Sequence, residues 1–421
     1  MKILGQEISV LRHQALSLIF NIRSWVFSLF PSYLFLLSTT KSVALKDSSS
    51  SSASNSATTT DKSSPSVSIA NKCVRIECPG GLDQLKLTDM ANDCLTVGYN
   101  VENWPAPFVT LDSSLFDEKL SPSLVVVKIE YFSVNYADVT IRWGLYESAL
   151  RYVGYPIVPG FDFTGTIEWA GSESGFKRGD DVFGFTLFGA YSQRLLVPSR
   201  QVRRVPTVDK TKLKVELSVL SGFPAVAATA LHAVSLAGGW PAPSTNRNKA
   251  VLVHSAAGGV GSMLLQVLKI QGFYPIVAVI GSSHKKDICL QLGADAVIDK
   301  SSVGDLWAAA KKISPTGYSA IFDANGIETI GQSFEHLSQC GRLIVYGFHS
   351  NVPKATSFLS PFEWVRMIGK MASMPKFDPM SLCLESKVGK RRGLGGKKKI
   401  REKWRDTILK RQIYFYIDFS L

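Results

Sequence analysis

The sequence predicts a two-domain α/β protein, with an irregular, mostly-β domain followed by a doubly wound parallel sheet. Three observations predict it. From Cys73 to about Pro206, short β-prone runs (CVRIE, LVVVKIEYF, RLLVPS) alternate with turn-forming clusters such as YPIVPG, the spacing of short strands joined by turns. After that the period changes. VLVH, PIVAVI, AVI, AIFD and LIVYG alternate with helix-like stretches at 260–271, 284–292, 303–313 and 328–338, the repeating strand-helix pattern of a parallel sheet. Between the first of these strands and the first helix lies VLVHSAAGGVGS, with three glycines in four positions. A chain of 421 residues, 45% hydrophobic, is long enough for two such domains and appendages.

The two ends read differently from the middle. Residues 15–37 are apolar enough to enter a membrane, but Arg23 and Pro31 interrupt them, which argues against a clean spanning helix. A Ser/Thr-rich stretch from residue 48 follows. Together they read as a targeting or membrane-contacting segment plus linker over 1–70, the destination being organellar, secretory or a membrane surface. The net charge of +13 is concentrated at the other end: from Lys387 onward there are twelve Lys/Arg against Glu402, Asp406 and Asp418. The remaining 386 residues carry only +4, so the basicity belongs to a tail and nucleic-acid binding by the folded part is not expected. The six cysteines (73, 78, 94, 289, 340, 383) form no CxxC pair, so neither a disulfide scaffold nor a zinc knuckle is expected.

In a dinucleotide fold, glycines after the first strand allow a tight turn, a close backbone approach to pyrophosphate, and helix packing on the strand. The N–H groups of the following helix then face the anion. Gly258, Gly259, Val260 and Gly261 are the candidates, with Ala256 where a strict GxGxxG has its first glycine. A site preferring NAD places Asp or Glu about twenty residues further on, against the ribose hydroxyls. Here that strand end reads VIGSSHKKD, with no carboxylate before Asp287. Ser283, Lys285 and Lys286 offer donors and positive charge suited to a 2′-phosphate. NADPH is therefore the expected cofactor.

NYADVTIRWGLY, YPIVPGFDFTG, GFKRGDDVFGF, HSAAGGVG and QLGADAVID occur in this order. They resemble the zinc-free quinone oxidoreductases of the medium-chain dehydrogenase/reductase superfamily, a zeta-crystallin-like branch, nearest the type that includes the vertebrate synaptic vesicle membrane protein. The resemblance covers about 73–387. It implies a GroES-like catalytic domain at 71–210 and a Rossmann NADPH-binding domain at 211–387, enoyl reductase-like in organisation. It also implies hydride transfer from NADPH to a quinone or an α,β-unsaturated carbonyl, and homodimers through the Rossmann sheet edge. By position in the family motifs, Asn135 orients nicotinamide and substrate oxygen, and Tyr146 is a hydrogen-bond donor or a wall of the pocket. Asn325, Gly347 and Phe348 line the cofactor. Zinc-dependent relatives carry Cys within the motif where this chain has Ser133 to Asp138, and Gly-His-Glu where it has Gly160-Phe161-Asp162, so no metal is expected. His232 and His254 lie on apolar segments and read as core histidines.

The resemblance stops at about residue 387. From 388 to 421 the chain departs where the sixth strand of the sheet is due, so the reading is a sheet missing that strand and a chain apparently truncated at its C-terminus. The basic tail fits an arm for phosphate backbones or an anionic membrane surface. It fits better as translated intron or shifted frame, since Lys387-Val388 can be encoded across an exon end and a charge run by itself predicts only solvated chain. An uncovered sheet edge predicts low stability and weak activity. The competing function is an NADPH-binding, non-catalytic scaffold or membrane-associated protein.

Overall fold

The computed structural model describes residues 71–90, 94–98, 108–110, 122–206, 215–238, 246–347, 369 and 412–415. The apolar stretch 15–37, the Ser-rich linker and most of the basic tail lie outside these. Among the described residues, no helix is long and apolar enough to cross a membrane.

A two-stranded antiparallel ribbon comes first, β1 (Asn71–Ile76) with β2 (Leu85–Met90), in register Asn71 opposite Met90. The next sheet has seven strands: β3 (Cys94–Val97), β4 (Phe108–Thr110), β5 (Leu124–Phe132), β6 (Asp162–Ala170), β7 (Asp181–Phe185), β8 (Arg194–Pro198) and β9 (Val202–Arg204). Their spatial order is β4-β3-β8-β5-β6-β7-β9, and every pairing except β3 with β8 is antiparallel. Val125, Val127, Phe163, Ile167, Val182, Leu195 and Val197 make its core, alternate residues of each strand pointing to one face. Between β5 and β6 lie two short helices, α1 (Tyr136–Arg142) and α2 (Glu147–Tyr152). They rest on a separate apolar cluster of Ile76, Ile141, Ile157, Phe161 and Phe188.

Two helices, α3 (Leu217–Leu220) and α4 (Pro224–Leu236), lead into the second sheet. Its strands are β10 (Val251–Val253), β11 (Ile276–Ile280), β12 (Ala296–Asp299), β13 (Tyr318–Asp323), β14 (Leu337–Val345) and β15 (Gln412–Phe415). All pair in parallel, in the order β12-β11-β10-β13-β14-β15. The helices between them are α5 (Gly259–Ile270), α6 (Lys286–Gln291), α7 (Leu306–Ile313) and α8 (Ile330–Glu335). Both faces of the sheet are covered, and the strands show it: Val251, Val253, Ile276, Ala278 and Ile280 belong to the cluster shared with α4 and α5, whereas Leu252, Val277 and Val279 pack with Trp307, Ala310 and Phe334 of α7 and α8. Continuous apolar runs are what a strand buried on both sides requires. The chain therefore has a GroES-like sheet followed by a Rossmann sheet, and the strand order reverses beside β10, where such sheets open a crevice at their carboxyl ends.

Two elements depart from the sequence reading. The stretch 328–338 predicted as one helix is helical only over Ile330–Glu335, because Leu337 already begins β14. An irregularity in the β13–β14 register and a left-handed Cys340 (φ 59°) hide that strand's first half from a period-2 reading. The larger correction concerns the sheet edge. Gln412–Phe415 of the tail lies parallel to β14, with Arg342 opposite Gln412 and Val345 opposite Phe415, and supplies the sixth strand that the sequence reading left out. QIYF is β-prone by composition, but it follows a run of lysines and arginines that reads as solvated chain.

Candidate active site

The site begins at the N-terminus of α1. Asn135 caps this helix, and Asp138, three residues on, accepts the Asn135 backbone N–H at 2.8 Å, the return half of a capping box. Asp138 is buried and also accepts the Gly160 N–H at 3.0 Å and the Tyr191 hydroxyl at 3.1 Å. One carboxylate thus pins α1 to the two loops that flank it.

The side chain of Asn135 is held by a second carboxylate. Asp162, the first residue of β6, is fully buried. Its Oδ2 accepts the Ser133 hydroxyl at 2.7 Å and the Asn135 Nδ2 at 3.0 Å, and the same Nδ2 lies 3.0 Å from Ser133 Oγ. In a triangle with these sides, the two acceptors subtend roughly 55° at Nδ2, less than half the ~120° between the N–H bonds of a planar amide. One N–H is shared between them. The other is left for the cleft that Asn135 lines.

Burial raises both carboxyl groups. Asp138 is pushed up to about 7, against the pull of the Asn135 and Gly160 N–H groups and the Tyr191 hydroxyl; Asp162 is pushed up to about 6, against Asn135, Ser133 and the Ala225 N–H. For an acid whose folded pKa is raised, the native state keeps its proton after the unfolded chain has lost it. The stability linked to that proton is full below about pH 4 and is lost as pH rises through the folded value. Asp138→Asn abolishes this titration but leaves one of the three donors facing an amide NH2. Its penalty should therefore shrink as pH rises from 4 to 7, read as the difference in urea midpoint from wild type. A penalty that stays constant or grows would contradict the assignment.

The cleft between the two sheets encloses about 820 Å³. Tyr146, at the N-terminus of α2, forms part of its wall, its ring edge-on to Phe161 (6.0 Å) and Phe188 (6.3 Å). Across from Asn135, the cleft is floored by the loop after β10, where Gly258, Gly259, Val260 and Gly261 all line it and α5 starts at Gly259. Gly261 has a packing reason to be glycine: a Cβ there would lie 2.4 Å from the Ser255 carbonyl oxygen and 2.7 Å from Ala256 Cα. Ser255 itself adopts a left-handed φ of 51° and donates its hydroxyl to Asn325 Oδ1 at 3.0 Å. Asn325 sits behind the loop and not among the cleft-lining residues. Its N–H and that of Gly326 go to buried Asp323, which Thr329 and Ser333 also contact. His254, also fully buried, lies 3.1 Å from Ser333 through Nε2. Gly347 lines the cleft, tight against the Ala324 carbonyl; Phe348 lies outside the described residues.

At the far end of the cleft, beyond β11 and β12, stand Lys285 and Lys300. Lys286 begins α6, exposed and outside the lining. The Ser283 hydroxyl donates to Asp299 Oδ2 at 2.5 Å, and with Ser301 it holds the Asp299 carboxyl below its ordinary range. The sequence reading did not single out Lys300, Tyr346, Thr229 or Ser255, all of which line the cleft. Lys300 had a signal: it follows β12 as Lys285 follows β11, and carboxyl ends of neighbouring parallel strands share a crevice. Among the described residues, no three His, Cys, Asp or Glu side chains are grouped to hold a metal ion.

Residues 121–207 match the alcohol dehydrogenase GroES-like domain, and residues 259–376 match the zinc-binding dehydrogenase family. Two domains of these kinds, in this order, are those of the medium-chain dehydrogenase/reductases, which this chain resembles. A probable quinone oxidoreductase of Schizosaccharomyces pombe is 31% identical over 232 residues, 54% of this chain and 64% of that protein. The human quinone oxidoreductase is 29% identical over 232 residues, 54% and 65% of the two chains. The chain thus spans just under two thirds of the length of these relatives. The crystal structure of the Escherichia coli quinone oxidoreductase complexed with NADPH shares the fold, with a TM-score of 0.52, 19% identity, and coverage of 72% of this chain and 87% of that one. Within the superfamily, the chain is similar to quinone oxidoreductases.

Proposed function

We propose that this protein is an NADPH-dependent oxidoreductase that reduces a quinone or an α,β-unsaturated carbonyl without zinc. The observation that carries the reading is a single cleft joining three parts: the Gly258–Gly261 loop, an Asn135 amide fixed by Asp162 and Ser133, and the Lys285/Lys300 pair. The residues suit the cofactor. The Gly258–Gly261 backbone at the start of a twelve-residue helix would take the pyrophosphate, and the two lysines a 2′-phosphate.

When bound, the reduced nicotinamide supplies a hydride. The chain's part is to orient acceptor and donor, wall off water with Tyr146, Phe161 and Phe185, and stabilise charge on the acceptor oxygen. The uncommitted Asn135 N–H does the last, as a donor aimed where negative charge develops. Hydride addition at the β-carbon moves an electron pair onto the carbonyl oxygen, and a proton from solvent completes the product. Asp162 does not serve as a metal ligand in this scheme, since both its oxygens already accept hydrogen bonds, Oδ1 from the Ala225 N–H at 2.7 Å and Oδ2 from Ser133 and Asn135.

The full chain should oxidise NADPH in the presence of a quinone or an enone, with the same rate after dialysis against a chelator. Loss of activity with the chelator, restored by zinc, would overturn the metal-free part. A melting temperature raised by NADPH, with no NADPH consumed by any acceptor in a panel of quinones and enones, would favour a non-catalytic binding protein.

A further inference from the structure

Both halves of the cleft are tied to one fully buried carboxylate. Through Oδ2, Asp162 holds Ser133 and Asn135; through Oδ1, it accepts the backbone N–H of Ala225 in the first turn of α4 at 2.7 Å. That helix adjoins the glycine loop: Val226 Cγ1 lies 3.1 Å from where a Cβ on Gly259 would stand. Ala225, Val226 and Thr229 of α4 line the cleft themselves.

The direction of the hydrogen bonds decides what this arrangement does. An ionised carboxylate only accepts, whereas a hydroxyl and an amide each do both. Ser133 donates its hydroxyl hydrogen bond to Asp162, so Ser133 Oγ has only lone pairs left to offer Asn135. Both groups facing the Asn135 amide then demand a donor, and its NH2 end must turn toward them. With a neutral group at 162 this constraint disappears. The amide can rotate by half a turn and present its carbonyl oxygen where an N–H is needed. Asp138 accepts the Asn135 backbone N–H, and its own backbone N–H faces the Asn135 side chain in the capping box, so the helix end favours the same sense of the amide that Asp162 imposes.

We infer that Asp162 is the positioning residue of this site: it fixes which end of the Asn135 amide faces the cleft and ties that amide to the helix beside the glycine loop. The inference rests on the reading of Asn135 as the donor to the acceptor oxygen. It separates two steady-state constants, because asparagine at 162 keeps an oxygen for the Ala225 N–H, so α4 and the glycine loop beside it hold their place while the Asn135 amide loses its direction.

Asp162→Asn is expected to lower kcat about tenfold, the worth of one misdirected hydrogen bond to a developing charge, while the NADPH KM stays within about threefold. Ser133→Ala removes one of the two acceptors that face the Asn135 amide but leaves the carboxylate bonded to it, and should lower kcat less than Asp162→Asn does. Melting temperatures without and with NADPH report whether each variant folds and binds. A folded Asp162→Asn with wild-type kcat overturns the inference, as does a loss shared equally between kcat and the NADPH KM, which marks a purely structural residue. If Asp162→Asn does not fold, Ser133→Ala decides: a loss as large as tenfold would show that the hydroxyl and not the carboxylate orients the amide. A wild-type chain that binds NADPH but reduces no acceptor overturns the proposed function instead, and the positioning role with it.

Discussion

Replacing Gly261 by alanine should lower NADPH affinity about a hundredfold, while Gly259→Ala leaves it within about threefold. The two glycines are two residues apart in the same loop and meet different surroundings. At Gly261 a methyl group would lie 2.4 Å from the Ser255 carbonyl oxygen and 2.7 and 2.8 Å from backbone atoms of Ala256. Backbone cannot swing aside as a side chain can. Helix α5 must move away from β10, and its first N–H groups leave the position where they meet a pyrophosphate. Overpacking of this kind also costs about 1–3 kcal/mol of stability. At Gly259 the nearest obstacle is the Val226 methyl at 3.1 Å, a contact that a small side-chain shift relieves. Titration of each variant with NADPH, followed by nicotinamide fluorescence, together with its melting curve, checks both parts. Equal losses for the two variants would mean that the loop is sensitive to any added bulk and that the Gly261 packing has no special role.

The second large effect concerns cofactor choice. Lys285→Ala with Lys300→Ala should raise the Kd for NADPH about a hundredfold and leave that for NADH within about twofold. A charge-assisted hydrogen bond to phosphate contributes about 1.5–3 kcal/mol. Lys285 and Lys300 are exposed, so solvent and salt screen them and about tenfold for each lysine is the fitting scale. The preference should accordingly weaken as ionic strength rises. Lys286→Ala, outside the lining, is the control and should do little. If the double variant loses NADH and NADPH alike, the lysines hold the loop and do not read the 2′-phosphate.

How much of this was legible in the sequence depends on whether the signal was local. The strands β10, β11 and β13 are continuous apolar runs bounded by turns, and their type and order follow from that pattern. The glycine loop is equally local, its strand, glycines and helix lying within twenty residues. Strand β14 was legible only in its second half, since Leu337-Ser-Gln-Cys carries no alternation and Cys340 breaks the pleat with a positive φ. The sixth strand was obscured by the charge around it, because what makes QIYF a strand is an open parallel edge on β14, and an edge is not a property of the segment. Site residues divide in the same way. Asn135 came from a contiguous motif, but the carboxylate that aims it is 27 residues away, and the spacing of Ser133, Asn135 and Asp162 has no period that marks them as neighbours. Lys300 shares the cleft with Lys285 because β11 and β12 are adjacent in the sheet.

The proposed function requires hydride transfer in the cleft between Asn135 and the glycine loop. Its most direct test uses NADPH carrying deuterium at the transferable position of the nicotinamide, incubated with the full chain and an α,β-unsaturated ketone, because a carbon acceptor retains the label whereas a quinol oxygen exchanges it. A quinone is run in parallel and scored by NADPH consumed. The expected result is one deuterium at the β-carbon of the saturated ketone, or one quinol formed per NADPH. NADPH that raises the melting temperature but passes no deuterium to the enone and reduces no quinone would contradict it.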